Sequence, residues 1–127
     1  MRQAIKLLLT LICVLVMMIG CSRYDEKILG TWKLDYWMTY SQYGTNGDAV
    51  DNCYFIFRKG GMGIMTSPGS VDGESLTTEF DYSIDDDILH MSLRDFENNK
   101  IEKLDDTKML LVQMSATSST EFGFTKH

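Results

Sequence analysis

The sequence predicts an all-β fold: eight antiparallel strands closed into an up-and-down barrel. Two observations carry that reading. Apolar and polar residues alternate with period two in one segment after another, and no long 3.6-residue helical period interrupts them. The segments are separated mostly by short turns of Gly, Asp and Asn, the spacing of hairpins. Strands joined largely as hairpins favour closure, because a closed barrel has no unpaired edge.

The first strand runs from Gly30 to Tyr40, with Trp32, Leu34, Tyr36, Met38 and Tyr40 on one face and Lys33, Asp35, Trp37 and Thr39 on the other. Residues Ser41 to Asn52 hold Gly44, Asn46, Gly47, Asp48 and Asp51 and read as a long loop, the kind that often serves as a lid. Cys53 to Arg58 alternates again, and the Gly60-Gly61 pair turns it into Met62 to Ser67. Pro68 to Gly73 is a loop. Leu76 to Ile84, Ile88 to Leu93, Lys100 to Leu104, Met109 to Ser115 and Glu121 to Lys126 complete the set, with Asp85-Asp86-Asp87, Asn98-Asn99 and Asp105-Asp106-Thr107 as turns. Residues Asp25 to Leu29 read as a short helical turn ahead of the first strand.

The first twenty residues have a different character. Arg2 and Lys6 precede an apolar run from Leu7 to Ile19, and Gly20-Cys21 leads directly into Ser22-Arg23-Tyr24-Asp25-Glu26-Lys27. Thirteen residues is short for a membrane span, which needs about 20. A basic start, a short apolar run and a small residue at the cut make a secretory signal peptide. Met18-Ile19-Gly20-Cys21 resembles the bacterial lipoprotein signal. The resemblance implies that residues 1–20 are removed, that Cys21 is lipidated with palmitate-like chains, and that residues 21–29 tether a domain of residues 30–127. It also implies attachment to the outer membrane of a Gram-negative bacterium.

Composition sets further bounds. The chain has 127 residues and a net charge of −6, which becomes −8 when Arg2 and Lys6 leave with the signal. That balance argues against nucleic acid, which requires a basic face. Of three cysteines, Cys13 lies in the signal and lipidation consumes Cys21, so Cys53 is left alone and no disulfide framework exists. The core must hold the fold. The acidic turns point different ways and read as solvated rather than calcium-binding. His90 and His127 are the only histidines, and neither falls in a catalytic arrangement. The expectation is a protein that is not an enzyme and needs no cofactor or metal.

Further along, Ile28-Leu29-Gly30-Thr31-Trp32-Lys33-Leu34 resembles the opening of lipocalin-like domains in bacterial lipoproteins. Tyr54-Phe55-Ile56-Phe57-Arg58-Lys59-Gly60-Gly61, Glu79-Phe80-Asp81-Tyr82-Ser83-Ile84 and Phe122-Gly123-Phe124-Thr125-Lys126 resemble later strands of the same family. The resemblance implies a lipocalin-like barrel in which Gly30 and Trp32 open the first strand and a basic residue, here Lys126, lies across Trp32. It also implies a small hydrophobic ligand in the barrel or at its mouth. Tyr36, Met38, Tyr40, Tyr43, Phe55, Phe57, Phe80, Tyr82 and Met91 are the candidates to line that site. Core filling explains most of them equally well. With Trp32, Leu34 and Tyr36 facing in, Trp37, Tyr54 and Ile56 face out and offer a surface for an envelope protein or a glycan. That is the alternative reading, a solid barrel that docks a partner.

The lipid anchor is directly testable. Replacing Cys21 with Ala is expected to abolish metabolic labelling with a fatty acid; persistent label would contradict the anchor.

Overall fold

The structure is a computed structural model and describes residues 23–68 and 75–127. The expected signal peptide 1–20, the expected lipidation site Cys21 and most of the expected Pro68–Gly73 loop lie outside the described residues. A short helix α1 (Arg23–Lys27) leads into β1 (Gly30–Ser41), β2 (Gly44–Ala49), β3 (Tyr54–Arg58), β4 (Met62–Pro68), β5 (Ser75–Asp85) and β6 (Ile88–Met91). A 3₁₀ turn η1 (Arg94–Phe96) separates β6 from β7 (Asn98–Leu104), and β8 (Lys108–Met114) and β9 (Ser118–Lys126) follow. All pairings are antiparallel, and β1 pairs with β9 to close a ring of eight strands, β1 and β3 to β9. The all-β barrel read from the alternation is the fold observed.

The ninth strand is the first difference. Residues 41–52 are not a loop: β2 folds back on the outer half of β1, from Tyr36↔Ala49 to Ser41↔Gly44. β2 reads Gly-Thr-Asn-Gly-Asp-Ala and is exposed throughout, so it has no apolar face to produce an alternating signal. Backbone pairing alone makes it a strand. Gly47 permits the approach, since a Cβ there would sit 2.5 Å from the Trp37 carbonyl oxygen.

The second difference inverts one face of β1. Against β9, Leu34 pairs with Phe124 but Tyr36 pairs with Gly123, so Asp35 is an extra residue in a β-bulge. Side chains alternate with period two, and one extra residue exchanges the faces of everything beyond it. Trp32 and Leu34 point inward as the alternation requires. Past the bulge, Trp37 opposes buried Phe122 and packs against the core. Tyr36 lies on the outer wall over Gly123, where a Cβ would meet its ring at 2.1 Å. Met38 opposes Glu121 on the same outer face, and Tyr40 is 42% exposed. Tyr36, Met38 and Tyr40 therefore do not line the interior, and Trp37 does not face out.

Tyr54 and Ile56 do sit on the outer face, half-buried, without Trp37 beside them. The C-terminal His127 covers Tyr54, with ring centroids 5.0 Å apart, and its backbone N–H donates to the Thr31 carbonyl at 2.9 Å. The residues expected to be a tether also fold: Arg23–Lys27 is helical and Ile28 is fully buried.

The core gathers from all eight ring strands. Trp32, Leu34, Phe55, Phe57, Phe80, Leu89, Met91, Ile101, Leu104, Met109, Leu111, Phe122 and Phe124 are buried, and Gly63 supplies the β4 contact by lying under the Phe80 ring. Each large side chain so buried contributes about 1.5–3 kcal/mol. Cys53 is buried at the edge of this cluster, and burial pushes its thiol pKa up, which suits a packing role. At the β7–β8 turn, the Asp105 carboxylate accepts from the backbone N–H groups of Thr107 and Lys108, at 2.9 and 2.7 Å. Those bonds lower its pKa to about 2.

The bulge makes a spectroscopic prediction. In the Trp32→Phe variant Trp37 is the only indole, and it should emit in the blue and resist quenching by acrylamide. Deleting Asp35 as well should return Trp37 to the outside, with a red shift and free quenching. A wet, readily quenched Trp37 in the single variant would contradict the inward placement.

Candidate functional site

A barrel can admit a ligand only through its ends, and here the two ends are closed by different means. At the α1 end, Trp32 and Ile28 are both fully buried, and the Trp32 indole N–H donates to the Ile28 carbonyl at 2.8 Å. Lys126 lies over the Trp32 ring, its Nζ 4.6 Å from the centroid, and donates to the Leu29 carbonyl. A cation over an indole face is worth about 0.5–1 kcal/mol, more when desolvated. Burial against the ring lowers the lysine pKa, partly offset by the charge of Asp106. Gly30 makes room for the ammonium: its φ is +119°, and a Cβ there would lie 2.6 Å from Nζ. Gly30, Trp32 and Lys126 thus form one plug.

The opposite end carries the β1–β2, β8–β9 and β6–β7 connections, and η1 closes it with Phe96. Half-buried, this ring packs on Phe55 at 5.1 Å and on Phe122 at 4.8 Å, centroid to centroid. Phe55 also contacts Phe80 at 6.1 Å and Phe124 at 5.3 Å, so Phe96 is the outermost ring of an aromatic stack running down the barrel. Phe57 continues it, 5.6 Å from Phe80 and 5.0 Å from Tyr82. Such pairs add about 0.5–1.5 kcal/mol each beyond the area they bury.

Polar side chains hold η1 from beneath. Asn99, fully buried on β7, donates to the carbonyls of Phe96 at 2.8 Å and Leu89 at 3.3 Å. Gln113 on β8 donates to the Asn99 side-chain oxygen at 2.9 Å and to the Asp95 carbonyl at 2.7 Å. The buried Asn99 amide is therefore satisfied on both sides, and Asn99 and Gln113 each fix one carbonyl of a turn that three residues alone would hold poorly.

Of the expected lining residues, Phe55, Phe57, Phe80 and Met91 are buried inside and Tyr82 packs inward on Phe57. Burial raises the Tyr82 pKa, with a further push from Asp25. Tyr43 is 90% exposed at the β1–β2 turn. Phe96, Asn99 and Gln113 belong to the interior or its stopper and were not among the sequence candidates, while Trp37, expected on the outer surface, packs against the core. One signal for Phe96 was available: Leu93 and Phe96 are three residues apart, the spacing of one 3₁₀ face. Four cavities among the described residues lie outside the ring: on the outer wall across β1, β9, β8 and β7, beneath α1, on β5–β6, and between the β1–β2 and β8–β9 turns. The described interior holds the buried core side chains, Trp32, Phe55, Phe57, Leu89 and Leu111 among them.

An eight-stranded antiparallel ring, plugged by a Gly-x-Trp strand start and a basic residue from the last strand, defines a lipocalin-like barrel. The lipocalin-like domain family model matches residues 28–111, and the chain belongs to that family. Its members are generally non-enzymatic binding proteins. Among solved structures, a deswapped triple mutant of bovine odorant binding protein is similar at 16% identity, over 80% of this chain and 74% of that one, with a TM-score of 0.46. No curated protein matches the sequence.

Proposed function

We propose that this chain is a lipid-anchored, non-catalytic binding protein of the bacterial envelope whose barrel takes a small apolar ligand at the Phe96 end. The observation that favours this reading is the construction of the stopper. Phe96 is the one ring of the stack carried on a three-residue turn rather than on a strand. It is only half-buried, and the amides that hold it, Asn99 and Gln113, stay fixed on β7 and β8 when the turn lifts. Lifting η1 vacates a space of about one aromatic ring against Phe55 and Phe122. The ligand that suits it is correspondingly small: a single ring or a short hydrocarbon segment, resting on a floor of Phe and Met. Burying such a molecule gains about 25 cal/mol per Å² of apolar surface. Tyr40 and Tyr43, exposed at the same end, form an outer rim for the part that projects.

The anchor is consistent with this geometry. Cys21 precedes α1 by two residues, a reach of about 7 Å at most. A lipid there would hold the Trp32 plug against the outer membrane and turn the Phe96 end away from it. The ligand would then arrive from the side remote from the anchor.

The test uses N-phenyl-1-naphthylamine, a neutral apolar fluorophore. Removing the stopper leaves an apolar void of the kind that binds small hydrocarbons. Phe96→Ala should bind the dye about tenfold more tightly than the wild type, a gain of about 1.4 kcal/mol. Adding Phe55→Leu should reduce that gain. Equal, weak binding by wild type and Phe96→Ala would overturn the interior as a ligand site.

A further inference from the structure

We infer that the ligand of the Phe96 end carries a neutral carbonyl beside its apolar part, and that Asn99 on β7 selects it. This selection presupposes the interior as a ligand site and supplies the polar half of the ligand's chemistry.

Asn99 is the one polar side chain fully buried among the described residues. It stands at an inward position of β7, in step with buried Ile101, where the alternation calls for an apolar residue. A buried amide costs free energy unless it is hydrogen-bonded, so its partners account for its presence there.

Those partners fix its direction. The side-chain amide has two hydrogens to donate. Nδ2 gives one to the Leu89 carbonyl on β6, at 3.3 Å, and the other to the Phe96 carbonyl of η1, at 2.8 Å. The Asn99 oxygen takes the Gln113 amide at 2.9 Å. The side of Asn99 turned toward η1 is therefore a donor, held so by carbonyls and by Gln113. The two acceptors differ in permanence. Leu89 belongs to a strand paired on both sides, with Ile84 and with Asn99, whereas Phe96 rides on a three-residue turn.

Lifting η1 strands the second hydrogen. In an empty mouth, water takes it. With an apolar ligand seated on Phe55 and Phe122, water is shut out, and a pure hydrocarbon leaves a buried N–H without an acceptor. A ligand carbonyl restores the bond by standing where the Phe96 carbonyl stood. No charged side chain is buried among the described residues, so a carboxylate would have no cation to offset its desolvation, and the acceptor that fits is neutral. Phe96 itself is the template: a ring on Phe55 and Phe122, joined through the Cβ–Cα spacer to a carbonyl on Asn99. A small aryl ketone, ester or amide with that spacing reproduces both contacts.

The experiment compares benzylacetone, which has this ring, spacer and carbonyl, with its methylidene analogue, in which C=CH2 replaces C=O. Hydrophobicity favours the hydrocarbon in any apolar site, so the readout is the ratio of the two Kd values in the wild type against the same ratio in Asn99→Leu. The substitution should move that ratio about tenfold toward the hydrocarbon, because the variant has no buried donor to strand. A purely structural Asn99 would loosen the turn for both ligands alike. An unchanged ratio, with both ligands still bound, would therefore overturn the inference and leave the interior site standing. A second readout needs no substitution: in the wild type the Asn99 Nδ2 proton resonance should stay downfield with benzylacetone bound and move upfield with the analogue bound. The same Asn99 shift with both ligands would overturn the inference. No interior binding of either ligand, by wild type or Phe96→Ala, would overturn it together with the ligand site itself.

Discussion

The fold depends on the pairing of β1 with β9. That pairing closes the ring, runs the length of β1 from Trp32↔Lys126 to Ser41↔Ser118, and carries the bulge at Asp35. Closure removes the sheet edges that eight open strands would expose. The bulge then decides what each half of β1 does. Before it, the strand delivers Trp32 and Leu34 to the interior and pairs with β3; beyond it, the strand delivers Trp37 and takes β2 as its second neighbour. One extra residue separates a plugged lower barrel from an outer wall lined by Tyr36.

The two ends of the barrel are unequal for physical reasons. The α1 end is sealed by a fully buried indole, an isoleucine and a lysine held on both the ring and a carbonyl. Undoing it would leave a buried N–H and an ammonium without partners, and each such loss costs about 1–3 kcal/mol or more. The Phe96 end is sealed by one half-buried ring on a short turn, held by amides that belong to other strands. Opening it returns backbone carbonyls to water, where they find new partners. The asymmetry supports a binding protein with one working end.

Much of the fold was legible because alternation is a direct record of burial. The eight ring strands were readable from Trp32 and Leu34, Phe55 and Phe57, Phe80 and Tyr82, or Phe122 and Phe124. Three things were not. β2 has no apolar face, and only its backbone pairs. The Asp35 bulge leaves no compositional mark: Leu34-Asp35-Tyr36-Trp37 alternates as well with the bulge as without it, and the choice is made by which β9 partner accommodates Tyr36. Gly123 is that partner. Phe96 sits in a turn, where a lone aromatic residue reads as incidental. The candidate interior was therefore recovered on β3, β5 and β6 and misassigned on β1, where the phase changes mid-strand. The Gly-x-Trp start and its distant Lys126 were recognisable through family resemblance, since no periodicity links residues so far apart in sequence.

Native-state hydrogen exchange tests the unequal ends most directly. The Phe96 amide bonds to the Leu93 carbonyl at 3.0 Å and the Met91 amide to the Glu97 carbonyl at 3.0 Å, both across η1. The Lys126 amide bonds to the Thr107 carbonyl at 2.8 Å at the sealed end. Local openings exchange with low free energy and little denaturant dependence, whereas core amides wait for global unfolding. The account predicts that Phe96 and Met91 exchange through a local opening well below the global free energy, while Lys126 exchanges only with the whole barrel. Exchange of all three at one common free energy would contradict it.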